Sequence, residues 1–149
     1  MDTVEIRHPE WSSRSVTLIC GPPGSGKSTL ANEMHGNVLE LWYDPNEDKA
    51  ATRQRLKLFG RKAHRIGRLP SPDWAVIRGA PSVSEREHHE NLCRPSRTIV
   101  LLTPANVCHE RIDARGRDTA DIEHAEVDRW WSVWRSEQPA PERRSSRWA

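Results

Sequence analysis

The run Gly21-Pro22-Pro23-Gly24-Ser25-Gly26-Lys27-Ser28, followed by Thr29, constrains this chain more than any other stretch. It has the form Gly-x-x-x-x-Gly-Lys-Ser/Thr, whose glycines reach backbone angles that other residues resist. Successive amide N–H groups can then converge beside the positive end of a helix dipole, where a phosphate fits. The flanks suit such a loop. Residues 15–20 form a short β-branched run that predicts a buried strand, and residues 27–35 lack Gly and Pro and predict a helix stopped by Gly36. In this pattern Lys27 reaches the β- and γ-phosphates of a nucleoside triphosphate and Ser28 holds Mg²⁺. Gly21, Pro22, Pro23, Gly24, Ser25, Gly26, Lys27, Ser28 and Thr29 are the candidate nucleotide-binding residues.

The remaining chain alternates in the same way. Residues 38–42, 74–77 and 98–102 read as strands. Residues 47–66, with a potential break near Gly60, and residues 84–92, 104–114 and 120–135 read as helices. Residues 1–14 are polar and read as a lead-in, and residues 136–149, rich in Arg, Pro and Ser, as a disordered tail. The expectation is an α/β fold: a three-layer αβα domain over residues 15–135, with a parallel sheet of four or five strands. Ligands of such sheets bind beyond the strand carboxyl ends, so the residues just after each strand are the candidates.

Asp44 follows the strand at residues 38–42, the second in the chain. A carboxylate there can orient an acceptor hydroxyl; it can equally begin an Asx turn or cap the next helix. Arg111 and Arg115 lie four apart on one helix face, with Gly116 and Arg117 beyond them. They suit a solvated basic helix end, and with the glycine loop upstream and Gly116 as a hinge they predict a lid near residues 111–120 that closes over the nucleotide and offsets developing charge. Between Lys49 and Arg68 there are eight Lys or Arg and no acid. Arg53, Lys57, Arg61 and Arg65 recur every four residues, a stripe suited to a phosphate-rich substrate or to a solvated helix face, while Leu56, Phe59, Ala63 and Ile66 follow a core-facing spacing.

Net charge is only +2, with 30% charged and 35% hydrophobic residues, so overall charge selects no partner. No apolar run reaches membrane-spanning length and no signal-peptide pattern opens the chain. Cys20, Cys93 and Cys108 lack metal-ligand spacing and read as reduced core thiols of a cytoplasmic protein. Val127, Trp130, Trp131 and Trp134 form one apolar helix face, and Trp42 and Trp74 also read as core rather than base-stacking residues; His88 and His89 read as exposed.

Residues 15–135 resemble small P-loop kinases of the polynucleotide 5′-kinase type, related to zeta-toxin-like kinases and familiar in compact form among phage-encoded proteins. The resemblance rests on residues 19–31, on Asp44 after the second strand, and on residues 98–117, which are similar to the family's fourth strand and lid. It implies ATP and Mg²⁺ as cofactors, Lys27, Asp44, Arg111 and Arg115 as catalytic residues, Arg117 near the nucleotide, and a nucleic-acid 5′ end as acceptor. A small-molecule kinase and an ATPase or switch module are the alternatives. The chain departs from the family where Arg78 stands in place of an acid at the end of the third strand, which implies either altered Mg²⁺ handling or contact with an anionic substrate. Arg53 stands in for a family Arg that follows the acceptor Asp, and Lys57 joins it on the substrate side. No fifth strand is evident.

Overall fold

The computed structural model describes residues 2–41, 44 and 46–139. It is an α/β domain with a five-stranded mixed sheet in the order β1-β5-β2-β4-β3. The strands are β1 (Asp2–Arg7), β2 (Ser15–Cys20), β3 (Asn37–Glu40), β4 (Asp73–Arg78) and β5 (Arg97–Leu102). The helices are α1 (Lys27–Met34), α2 (Lys49–Ile66), α3 (Val83–Cys93), α4 (Ala105–Arg115) and α5 (Ala120–Ser136). β2 lies at the centre, parallel to β4 and β5, and β3 runs parallel to β4.

The first fourteen residues are not a mere lead-in. Asp2–Arg7 pairs antiparallel with β5, from Asp2 opposite Leu102 to Arg7 opposite Arg97, and supplies a fifth strand. The sheet is therefore mixed rather than wholly parallel. β1 gave no alternating signal because it is an edge strand on which only Val4 is even half-buried. Its outer positions carry charge, with Glu5 3.3 Å from Arg7 and 3.5 Å from Arg97, which discourages pairing with a further strand. His8 fastens the segment through Thr98 Oγ1 at 2.9 Å and Glu90 at 3.0 Å.

Alternation along β2 sorts the core onto two faces. Val16, Leu18 and Cys20 join Phe59, Ala63, Ile66, Cys93, Trp130 and Trp134 on the face covered by α2, α3 and α5. Ile19 joins Ala31, Ala75 and Ile77 on the face covered by α1. Cys108, Ile112 and Val127 bind α4 to α5. Trp130 is fully buried and stacks on Trp134 with ring centroids 5.5 Å apart, so the apolar stripe of α5 is core. Trp74 packs at the rim of the same core, and Trp42 lies outside the described residues. All three cysteines are free and buried.

α2 runs through Gly60 unbroken. Asp48 caps it by accepting from the Ala51 amide at 2.8 Å. Arg14 gathers carbonyls at the ends of two helices, donating to Ile66 at 2.6 Å and to Arg94 at 3.0 Å. Leu56 is exposed rather than core, as is its neighbour Leu58, because the buried stripe of α2 begins only at Phe59. The described structure continues through α5 to residue 139, and residues 140–149 of the expected tail lie outside it.

Candidate functional site

The loop at residues 21–28 leaves the carboxyl end of β2, the central strand, and enters α1 at Lys27. Gly24 and Gly26 take φ values of +78° and +98°, in the left-handed region that favours glycine. The amide of Gly21 donates to Gly79 O at 3.2 Å, tying the loop to the end of β4. Trp130 Nε1 donates to the same carbonyl at 2.7 Å, so the buried face of α5 braces this junction. From the other side Thr103 Oγ1 donates to Ser25 O at 2.9 Å and Arg111 donates to Gly24 O at 3.0 Å. The loop is thus held by β4, β5 and α4 together.

Lys27 curls back over the loop, and Nζ donates to Gly21 O and Pro22 O at 2.8 Å each. Burial lowers its pKa to about 8, and the nearby Glu40 carboxylate opposes that shift. Ser28 Oγ lies 2.9 and 3.0 Å from the two Glu40 oxygens and donates to that carboxylate. Ser25 Oγ is buried and has no hydrogen-bond partner among the described residues. α1 begins without a side-chain cap on its first turn. The Lys27 ammonium, the unpartnered Ser25 hydroxyl and the Ser28–Glu40 hydroxyl–carboxylate pair therefore lie along one loop. That set can receive an anion with several oxygens, and Ser28 with Glu40 supplies the hard oxygen ligands a small divalent cation takes.

Among the other expected site residues, Arg111 reaches the loop directly. Arg115 is exposed at the last turn of α4, close enough to weigh on the charge of Lys27. Arg117 lies beyond the left-handed Gly116 (φ +61°), 3.3 Å from Glu123. The expected lid residues thus straddle the connection between α4 and α5. Pro22 is fully buried, Pro23 half-buried and Thr29 exposed.

Asp44 is exposed, and its Oδ1 accepts from the Asn46 amide at 2.9 Å, an Asx turn. No hydrogen bond joins it to the loop among the described residues. The strand it follows is not adjacent to the loop's strand: β4 separates β3 from β2. Arg78 ends β4 with its guanidinium 5.1 Å from the Phe59 ring centre, its pKa lowered by burial. Arg53, Lys57, Arg61 and Arg65 are all exposed along α2, and Lys57, Arg61 and Arg65 line a shallow basic groove with Gly60, His64 and Arg68. His88 is exposed, whereas His89 is half-buried against Phe59.

Glu40 was not singled out from sequence. The available signal was an acid inside the apolar run Val38-Leu39-Glu40-Leu41, at a strand's carboxyl end. The bracing role of Trp130 had no local signal, because its partner Gly79 lies 51 positions away.

No family model matches the chain. An alignment of 87 positions that covers 54% of the chain is 33% identical to the chromosome transmission fidelity protein 18 homolog of Xenopus laevis. The chain spans 9% of that protein's length. No described helix is long and apolar enough to cross a membrane, and no group of three or more His, Cys, Asp or Glu side chains among the described residues could hold a metal by itself.

Proposed function

We propose that this protein is an ATP- and Mg²⁺-dependent phosphotransferase of the P-loop kinase type, moving a γ-phosphate to a hydroxyl. The observation that carries the reading is the cage of Lys27 on the Gly21 and Pro22 carbonyls beside the Ser28–Glu40 pair, at the carboxyl end of the central strand. Lys27 exchanges its two carbonyl partners for phosphate oxygens, and the loop amides and uncapped first turn of α1 hold the rest of the chain of phosphates. Ser28, with Glu40 behind it, would hold a Mg²⁺, and that ion would supply charge neutralisation at the loop. Arg111 already touches the loop, and Arg115 and Arg117 follow it onto the same side.

The acceptor we favour is the 5′-hydroxyl end of a nucleic acid, supported by the exposed basic stripe of α2. A nucleotide-driven ATPase or switch is the second reading. It is favoured by Asp44, whose carboxylate serves an Asx turn and has no hydrogen bond to the loop among the described residues. The test is a labelled γ-phosphate transfer screen over 5′-OH DNA, 5′-OH RNA, nucleosides and water. Label on an oligonucleotide end supports the kinase, with Asp44→Asn cutting transfer far more than ATP binding. Label released only as inorganic phosphate, with Asp44→Asn at wild-type rate, supports the ATPase.

A further inference from the structure

We propose that His109 and His124 form a binding site for a late first-row transition-metal ion such as Zn²⁺, which clips α4 to α5 across the connection at residues 116–119. The site lies apart from the glycine loop and does not depend on the kinase reading.

The spacing is the same on both helices. α4 holds His109 and Asp113, and α5 holds His124 and Asp128, so each presents an imidazole and a carboxylate four positions apart on one face. The helices pack through Cys108, Ile112 and Val127. Their His–Asp pairs then cross. His109 Nε2 lies 3.0 Å from Asp128 Oδ1, and His124 Nε2 lies 2.7 Å from Asp113 Oδ1. The two other ring nitrogens, Nδ1 of His109 and Nδ1 of His124, face each other at 2.6 Å.

An ionised carboxylate only accepts, so each Nε2 carries the hydrogen and donates it. A neutral ring of that tautomer has a lone pair on Nδ1. Two such lone pairs come together only around a positive charge, either a shared proton or a metal ion. A carboxylate on the far nitrogen is the arrangement that ligating histidines take, because it fixes the tautomer and raises the basicity of the nitrogen that binds. Here both rings have it.

Charge favours the metal over the proton. With both rings neutral, Asp113 and Asp128 leave the cluster two negative charges. A shared proton offsets one of them, and a divalent cation offsets both. The neighbouring Arg111 and Arg129 are engaged elsewhere, donating to Gly24 O and to Glu126. The pair is also open to solvent, with the His109 side chain 30% and the His124 side chain 26% exposed, so a hydrated ion can reach it. Tetrahedral Zn–N bonds of about 2.0–2.1 Å set two ligand nitrogens about 3.3 Å apart, so the rings part by about 0.7 Å, a small side-chain rotation. Two imidazoles, with water completing the shell, select Zn²⁺, Ni²⁺ or Cu²⁺ over Mg²⁺, which takes oxygen ligands. The clip would fasten α5 to the helix whose Arg111 holds the glycine loop.

The experiment titrates the untagged full chain with ZnCl₂ and, separately, with MgCl₂, without nucleotide, followed by calorimetry and by NMR of the histidine rings. Zn²⁺ should bind with a Kd of roughly 1–100 µM, about half the binding free energy of a four-ligand structural site, and should shift the His109 and His124 ring resonances. Mg²⁺ should leave those resonances in place. His109→Gln and His124→Gln should each weaken Zn²⁺ binding by about tenfold or more. Asp113→Asn and Asp128→Asn keep both rings and should weaken it by roughly tenfold, which a merely structural contact would not do. They also serve if a histidine variant fails to fold by circular dichroism. His64→Gln and His88→Gln, on α2 and α3, should bind Zn²⁺ as the wild type does. Zn²⁺ binding no tighter than Mg²⁺ overturns the proposal. So does Zn²⁺ binding that survives the double variant His109→Gln/His124→Gln, which means an adventitious ion only. Ring resonances of His109 and His124 that move with pH but not with Zn²⁺ leave a shared proton in the pair and overturn the metal site.

Discussion

Gly24→Ala isolates the closure of the glycine loop against α4. Gly24 has φ +78°, and a β-carbon there would stand 2.9 Å from the carbonyl oxygen of Cys108 and 3.2 Å from its Cα. The left-handed conformation costs an L-residue about 1–2 kcal/mol. The contact adds a further ~1–2 kcal/mol, because both opposing atoms are helix backbone and cannot rotate away. The sum, about 2–4 kcal/mol, corresponds to a fall in Tm of roughly 5–15 °C for a chain of this size. Gly60→Ala provides the contrast within the same molecule. Gly60 lies inside α2, where an added β-carbon meets nothing within 4 Å, so alanine should raise stability by about 0.5–1 kcal/mol. Urea unfolding followed by far-UV circular dichroism measures both, with unchanged m-values required for the comparison. A Gly24→Ala protein within ~0.5 kcal/mol of wild type would refute the reasoning, because neither the backbone angle nor the approach of α4 could then be as described.

Glu40→Gln should raise the Mg²⁺ concentration needed for half-maximal turnover by roughly tenfold with little change in fold, since the carboxylate that holds Ser28 is lost; an unchanged Mg²⁺ profile would leave the pair a structural contact. If the α2 stripe grips a nucleic-acid backbone, replacing Arg61 and Arg65 by Gln should flatten the slope of log K against log salt for a short single strand by about 1.4, at nearly constant ATP affinity; an unchanged slope would make the stripe a solvated helix face. Burial pushes the thiols of Cys20 and Cys93 up to about 12 from an ordinary value of 9.0. The folded state thus keeps protons that the unfolded state releases above pH 9, and stability should fall as pH rises from about 9 towards 12. At pH 8 a thiol reagent should label Cys20 and Cys93 only after denaturant is added, and prompt labelling of the native protein would contradict their burial.

The parts of the fold legible in the sequence were those with local signals. Residues 15–20 and 98–102 are apolar because they are central strands covered on both faces, and the glycine loop follows from residue types whose backbone geometry is nearly obligatory. β1 was not legible, since an edge strand needs little hydrophobic patterning and its pairing with β5 joins residues about a hundred positions apart. Strand order was likewise invisible, and with it the separation of β3 from β2 by β4. Periodicity placed Phe59, Ala63 and Ile66 in the core correctly but included Leu56 a turn too early, before α2 reaches the sheet. The site shows the same division. Lys27 and Ser28 carry a motif, whereas Glu40 and Trp130 act through partners that only the folded chain brings near.

The central claim is that a γ-phosphate leaves ATP at the glycine loop and arrives on a hydroxyl. Phosphorus NMR of a reaction holding ATP, Mg²⁺ and a 5′-OH oligonucleotide follows both ends of that transfer at once. The account predicts a phosphomonoester resonance on the oligonucleotide growing in step with ADP, and loss of both in a folded Lys27→Ala protein, where stabilisation worth several kcal/mol at the transferring phosphate is gone. ADP and phosphomonoester formed at equal rates by wild type and Lys27→Ala would contradict it.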